Sequence, residues 1–246
     1  RSSYRAGELF VDALVRDGRL LRSWKDGAAK IPGFLEDHAG LGNALLSLYE
    51  ATLEPLWLEE ALRLAERTVE LFWDEEAGLF YDSASDAEEL VVRPRDPMDN
   101  ATPSGNSLAV ELLLRASRLT GNEAWEAVAA RALGAELDAM QSFPSAFGRL
   151  LSNLALHLTP PTEVVVLGGP GDAMVRDLLR SAHRGFLPGR LVAGGDPATL
   201  PSLPLFQGRT AKDGGPTAYV CRNFTCTAPI TDAGELDGEL WGGGVD

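Results

Sequence analysis

Apolar residues return along this chain at helical spacing, in stretches that are two-sided and then nearly all round, in alternation. Residues 3 to 16 place Ala6, Phe10, Ala13 and Leu14 on one side, the pattern of a half-buried helix that Asp17-Gly18 ends. Arg19 to Trp24 has strand character and closes at Lys25-Asp26-Gly27. From Phe34 to Leu53, the residues Leu35, Ala39, Leu41, Ala44, Leu45, Leu46, Leu48 and Tyr49 leave little polar face. That predicts an inner helix covered on almost every side. Pro55 suits a first helical position, and residues 56 to 72 set Trp57, Ala61, Leu64, Ala65, Thr68 and Phe72 against Glu59, Arg63, Glu66, Arg67 and Glu70. Such a two-faced pattern predicts an outer helix, wet on one side.

The alternation then repeats. Thr102 can cap a helix opening at Pro103, in which Leu108, Ala109, Val110, Leu112, Leu113, Leu114 and Ala116 again leave little polar face. Residues 122 to 141 are amphipathic, and Pro144-Ser145 opens a third inner-type helix with Phe147, Leu150, Leu151, Leu154 and Leu158. Two of these helix pairs align at an offset of 68 residues: Thr52 to Trp57 with Ala61 matches Thr120 to Trp125 with Ala129. A fixed period marks a supersecondary unit that hides its apolar face against copies of itself. Residues 1–160 are therefore expected to form part of a helical toroid, with its chemistry in the loops at one mouth.

After Pro160-Pro161 the pattern changes. Glu163 to Leu167 is a β-branched run, Asp172 to His183 has helical spacing, and Arg190 to Ala193 and Thr217 to Cys221 are further strand candidates. Residues 161–236 thus predict a small α/β layer. Residues 237–246, with Gly242-Gly243-Gly244, have little to bury and predict a flexible tail.

Composition narrows the partners. A formal charge of -14 argues against nucleic acid, which needs clustered Lys and Arg. No apolar run approaches the roughly 18 to 20 residues that span a bilayer, so no membrane partner is expected. The two cysteines, Cys221 and Cys226, are too few for a disulfide scaffold; free thiols in a reducing cytoplasm are the expectation. The chain opens at Arg1 without an initiator Met and reads as a fragment or processed piece. Such a fragment should expose an apolar patch where inner helices lack neighbours.

The offset of 68 pairs His38 with Asn106, Asp37 with Gly105 and Glu36 with Ser104, at equivalent starts of two inner helices. Helix N-termini favour anions and hydroxyl oxygens. Paired carboxylates such as Glu36 and Asp37 can divide acid and base roles on a sugar. Helix capping accounts for the same residues without chemistry. The long connections 17–33 and 73–102 return to the same mouth and carry Arg22, Trp24, Tyr81, Asp96 and Asp99, a mixture of aromatic platforms and charged groups suited to sugars. Leu79 to Asp82 and Leu90 to Arg93 read as a β-hairpin. Cys221 and Cys226 form C-x4-C, a weak redox candidate beside the plainer reading of two inert thiols. No metal site is expected, because His38, His157 and His183 are distant in sequence and zinc takes about four ligands. Gly168-Gly169-Pro170-Gly171-Asp172 lacks a nucleotide-binding spacing and reads as a tight βα turn.

Asp17 to Gly27, Leu35 to Ala39, Leu71 to Asp74, Pro103 to Ser107 and Ala218 to Cys226 together resemble the C-terminal part of the spermatogenesis-associated protein 20 family and its bacterial thioredoxin-domain relatives. The likeness runs from about residue 5 to residue 236. It implies a thioredoxin-like domain fused to an (α/α)6 toroid of the six-hairpin glycosidase and N-acylglucosamine 2-epimerase type, of which this chain holds about half. The partners so implied are the missing first half of the toroid, the thioredoxin-like domain and a small sugar; no cofactor is implied. Where that family usually has a Tyr, this chain has His38. The implied function is that of a sugar isomerase, epimerase or hydrolase, or of an inactive relative that binds sugars. Glu36, Asp37 and His38 are the catalytic candidates, and Arg22, Trp24, Tyr81, Asp96, Asp99 and Asn106 surround the ligand. The rival reading is a redox or interaction scaffold for the thioredoxin-like domain.

Overall fold

The computed structural model describes residues 2–16, 19–87, 92–223 and 225–242. Helix dominates, and the chain divides into two units: residues 1–48, 56–117 and 122–157 form one, and residues 49–55, 118–121 and 158–246 the other.

The first unit opens with α1 (Ser2–Leu14), β1 (Val15–Arg16), β2 (Arg19–Lys25) and β3 (Ala28–Pro32). Sequence spacing alone does not predict β3, since Ala28-Ala29-Lys30 has poor strand propensity. Its register comes from the turn. Lys25 pairs with Ala28, and the two residues between, Asp26 and Gly27, both take positive φ (53° and 78°). That is the backbone of a two-residue hairpin turn, and Asp-Gly tolerates it better than most pairs.

Two helices follow, α2 (Leu35–Thr52) and α3 (Pro55–Phe72), then the short strands β4 (Trp73–Asp74) and β5 (Leu79–Phe80), which pair with each other. Leu79–Phe80 thus has β4 as its partner; residues 90 and 91 of the strand expected opposite it lie outside the described residues. Helices α4 (Gly105–Thr120), α5 (Glu123–Ala135), α6 (Leu137–Ser142) and α7 (Gly148–Leu158) complete the run. The sequence offset reappears in the elements: α2 and α4 end at Thr52 and Thr120, and α3 and α5 begin at Pro55 and Glu123.

Helices α2 and α4 pack side by side and run in the same direction. Gly105 of α4 sits against Leu35 of α2, and Gly42 of α2 sits against Leu112, seven residues further along both. The contact is cemented by Asn43, whose Nδ2 donates to Leu108 O at 2.9 Å, and by Arg115, which donates to the Asn43 carbonyl and side-chain oxygens. Trp57, Phe72, Phe80, Leu45, Leu112 and Leu113 are fully buried and fill the core of this unit. Two expectations change. One stripe of α2 (Leu41, Ala44, Leu48) is uncovered and, with Ala6, Phe10 and Leu14 of α1, lines an apolar groove of about 760 Å³. Helix α7, expected to be covered all round, buries only Leu150 and Asn153, and Leu158 is 71% exposed.

In the second unit, β6 (Thr162–Leu167), α8 (Ala173–His183) and β7 (Arg190–Gly195) make a parallel βαβ crossover. The strand β8 (Thr217–Arg222) pairs antiparallel with β6, and β9 (Thr225–Cys226) closes the sheet in the order β7-β6-β8-β9. The expected tight βα turn is present: Asp172 caps α8 by accepting from the Met174 amide at 2.7 Å. Val164, Val166, Val175, Leu178, Val192 and Val220 form the core between sheet and helix. Gly194 cannot be replaced, because a Cβ there would lie 1.8 Å from Val166 O.

Two corrections fall in this unit. Residues 237 to 241, expected as tail, are the last turns of α9 (Ala233–Trp241). Leu236 and Leu240 bury beneath it, and Trp241 Nε1 donates to Ser181 O at 2.9 Å. Cys221 and Cys226 are not free thiols; the β8–β9 register sets them opposite each other and a disulfide joins them. No helix among the described residues is long and apolar enough to cross a membrane.

Candidate functional site

A polar pocket of about 500 Å³ opens in the first unit where α2 and α4 begin. Its walls are Arg22 from β2, Phe34 and Glu36 at the start of α2, Asp82 after β5, and Asp96, Met98, Asn100 and Thr102 to Gly105 in the segment entering α4. The parallel packing of α2 and α4 makes this pocket, because it brings two helix N-termini to one place.

Each terminus is capped from within. Asp37 accepts from the Phe34 amide at 2.8 Å, the reach-back of a capping box. At α4 the cap is Ser104 rather than Thr102: its hydroxyl accepts from the Ser107 amide at 3.1 Å. The capping reading therefore holds for Asp37 and Ser104. Asp99 has a comparable task, accepting from the Ser104 amide through one oxygen and from the Arg149 and Leu150 amides, at the start of α7, through the other.

Glu36 is the carboxylate left facing the pocket, half exposed and paired with Arg22 Nη1 at 2.7 Å. The Glu36 hydrogen bond raises the Arg22 pKa further, assisted by the Asp37 charge. Arg22 also lies over the Phe34 ring, 5.1 Å from its centroid. The guanidinium, which also donates to Asp37 Oδ2 at 3.1 Å, is thus fixed by two carboxylates and an aromatic face.

Asp82 is the group that pattern reading passes over. Its carboxyl is held above the ordinary range, chiefly by burial and then by the charges of Asp96 and Glu36, while the Asp96 amide donates to it. Asp82 is placed by its backbone: its carbonyl accepts from Leu35 N at 3.0 Å and its amide donates to Pro94 O at 2.9 Å. The site so built gathers three carboxyl groups, Glu36, Asp82 and Asp96, of which Asp82 resists ionisation. A carboxyl raised by burial beside other carboxyl groups suits proton transfer.

The other expected residues stand elsewhere. His38 is 1% exposed, packed on Phe72 with ring centroids 5.0 Å apart, and its Nδ1 lies 3.0 Å from Phe34 O. Burial pushes its pKa down. It is a core imidazole, away from the pocket lining. Asn106 is 3% exposed, and neither side-chain amide atom has a hydrogen-bond partner among the described residues. Trp24 is 51% exposed on β2, and Tyr81 lies under the guanidinium groups of Arg93 and Arg95, each 3.8 Å from its ring centroid. Arg22, Glu36 and Asp96 are thus brought together, while Asp37, His38, Trp24, Tyr81, Asp99 and Asn106 are not in the lining. Among the described residues, no group of three or more His, Cys, Asp or Glu is arranged to hold a metal ion.

Comparison with known proteins fixes the relationship. Human spermatogenesis-associated protein 20 is 33% identical over 235 residues, 90% of this chain, and the rat protein of the same name is 34% identical over the same share. The chain is homologous to spermatogenesis-associated protein 20. An uncharacterised protein of Caenorhabditis elegans is 25% identical over 87% of the chain. The match spans 30% of the length of human spermatogenesis-associated protein 20. No family model matches the chain. At 90% of the chain, the match to human spermatogenesis-associated protein 20 is longer than either unit and so extends into both.

Proposed function

We propose that the pocket binds an uncharged polyhydroxylated ligand, and that the intact protein is a carbohydrate-active (α/α)6 toroid, a sugar isomerase or hydrolase or a sugar-binding relative of one. The observation that carries this reading is the gathering of Glu36, Asp82 and Asp96 in one open pocket, with Asp82 raised by burial. Asp82, held protonated more readily than a normal aspartate, is the hydrogen-bond donor and general acid; Glu36 is the base; Arg22 anchors a ring or hydroxyl oxygen. Phe34 and Met98 give the apolar surface on which a sugar face rests. The pocket volume falls within the range of small-ligand sites.

Isothermal titration of the chain with a panel of neutral mono- and disaccharides tests the proposal, with Glu36→Gln and Arg22→Met as controls. Binding that both variants weaken by about tenfold or more supports it. Wild-type protein that gives no heat with any sugar defeats it.

A further inference from the structure

The disulfide between Cys221 and Cys226 is asymmetric. Cys221 in β8 is 1% exposed, whereas Cys226 in β9 is exposed. A reagent from solvent meets Cys226 first. The Arg209 Nη2 reaches both sulfurs, at 3.1 Å from Cys221 Sγ and 3.2 Å from Cys226 Sγ. Its Nη1 donates to the carbonyls of Leu205 and Gln207, which hold the guanidinium in that position.

A neutral disulfide sulfur is a weak acceptor, so a charged donor gains little from it. Against a thiolate the same contact is charge-assisted, and it lowers the thiol pKa. Arg209 is therefore placed for the reduced pair. The other charged groups near the sulfurs fit this. Glu163, opposite Cys221 in the ladder, lies 3.6 Å from Arg209 and its ionisation is disfavoured by burial; Arg222 is paired with Glu239.

The bond is also dispensable to the sheet. β8 is held along its whole length by β6 and by the Ala218–Ile230 bridge. A bond between residues five apart in sequence closes a short loop and removes little entropy from the unfolded chain.

We propose that Cys221 and Cys226 are a reversible dithiol–disulfide pair that exchanges two electrons with a dithiol partner, Cys226 being the sulfur attacked and Cys221 the leaving group. A partner thiolate attacks Cys226 Sγ; the Cys221–Cys226 bond breaks, and its electron pair leaves on Cys221 as a thiolate that Arg209 stabilises. The second partner thiol, its proton lost to solvent, attacks the partner sulfur of the mixed disulfide and releases Cys226 as a thiolate. The partner is oxidised to its disulfide and this pair is reduced, two electrons each way. The pair lies in the second unit and does not rest on the sugar reading.

The test uses the whole chain and reduced dithiothreitol, with free thiols counted by mass after iodoacetamide treatment at mildly acidic pH. The expected result is that millimolar dithiothreitol opens the bond without urea, far-ultraviolet circular dichroism is unchanged, and oxidised dithiothreitol restores the bond. Arg209→Met is expected to slow alkylation of the reduced pair by about tenfold, and Arg209→Lys to restore most of it. Opening only in urea together with loss of dichroism would overturn the proposal, as would equal alkylation rates for wild type and a folded Arg209→Met. Should Arg209→Met not fold, the thiolate absorbance of the reduced wild type decides: a first midpoint below about 8.5 supports the proposal, and one at or above it overturns it.

Discussion

Gly42 and Leu112 meet so closely that a Cβ on Gly42 would lie 2.7 Å from Leu112 Cδ2. Leu112 is fully buried and has no room to yield. Alanine at a helical glycine ordinarily gains about 1 kcal/mol, but overpacking costs about 1 to 3 kcal/mol. Gly42→Ala is expected to lose on the order of 1 kcal/mol of stability in urea unfolding. In a Leu112→Ala background the same change should become neutral or stabilising, and a loss that persists there would place the conflict elsewhere.

Buried His38 makes stability depend on pH. Its folded pKa lies below the ordinary value of 6.5. Between the two values the unfolded chain binds the extra proton, so this contribution is present above about pH 6.5 and is lost as pH falls toward the folded pKa. Wild type minus His38→Phe stability should therefore drop by on the order of 1 kcal/mol from pH 7 to pH 5. A difference that is flat with pH would show that the imidazole is not held neutral.

Asp82 has the opposite sign. A carboxyl raised above its unfolded value contributes stability at low pH and loses it as pH rises through the folded pKa. Asp82→Asn should raise the Tm slightly at pH 7 and not at pH 4, while weakening sugar binding by about tenfold if Asp82 is the donor proposed. Stabilisation at both pH values would mean that the charge is not what strains the site.

Tyr49 ties the second unit together through its hydroxyl, which donates to Gly194 O at 2.9 Å and accepts from Gly194 N at 3.2 Å. Burial pushes its pKa up to about 12. Tyr49→Phe leaves both Gly194 groups buried and unpaired and should cost about 1 to 3 kcal/mol. The ultraviolet titration of wild type minus variant should show a single phenol near pH 12; ionisation near 10 would deny the burial.

Helical spacing carried the mainly helical character because alternating two-sided and nearly all-round apolar stretches have few solutions, and the matched pair Thr52 and Thr120 recurs as the last residues of α2 and α4. The pocket was legible only in part. Arg22, Glu36 and Asp96 follow from loops that return to helix starts. Asp82 does not, since Leu79 to Asp82 reads as ordinary strand and what raises its carboxyl is burial by distant chain. His38 pairs with Asn106 by offset, yet offset says nothing of which way a side chain turns, and both turn inward. C-x4-C gives a spacing but no register; the Cys221–Cys226 pairing depends on how β9 folds back on β8. Leu158 counted as core in the pattern, but among the described residues it is left 71% exposed.

The like orientation of α2 and α4 has an electrostatic cost. Each helix start carries about half a positive charge, and two such ends side by side repel. The acidic first turn of α2 and one Asp99 oxygen at α4 answer both, so the field that would draw a phosphate is already spent on carboxylates belonging to the chain itself. On the sugar reading proposed above, a phosphorylated sugar would meet a fence of like charge there and an uncharged one would not, and discrimination between them becomes a property of helix alignment more than of any one side chain.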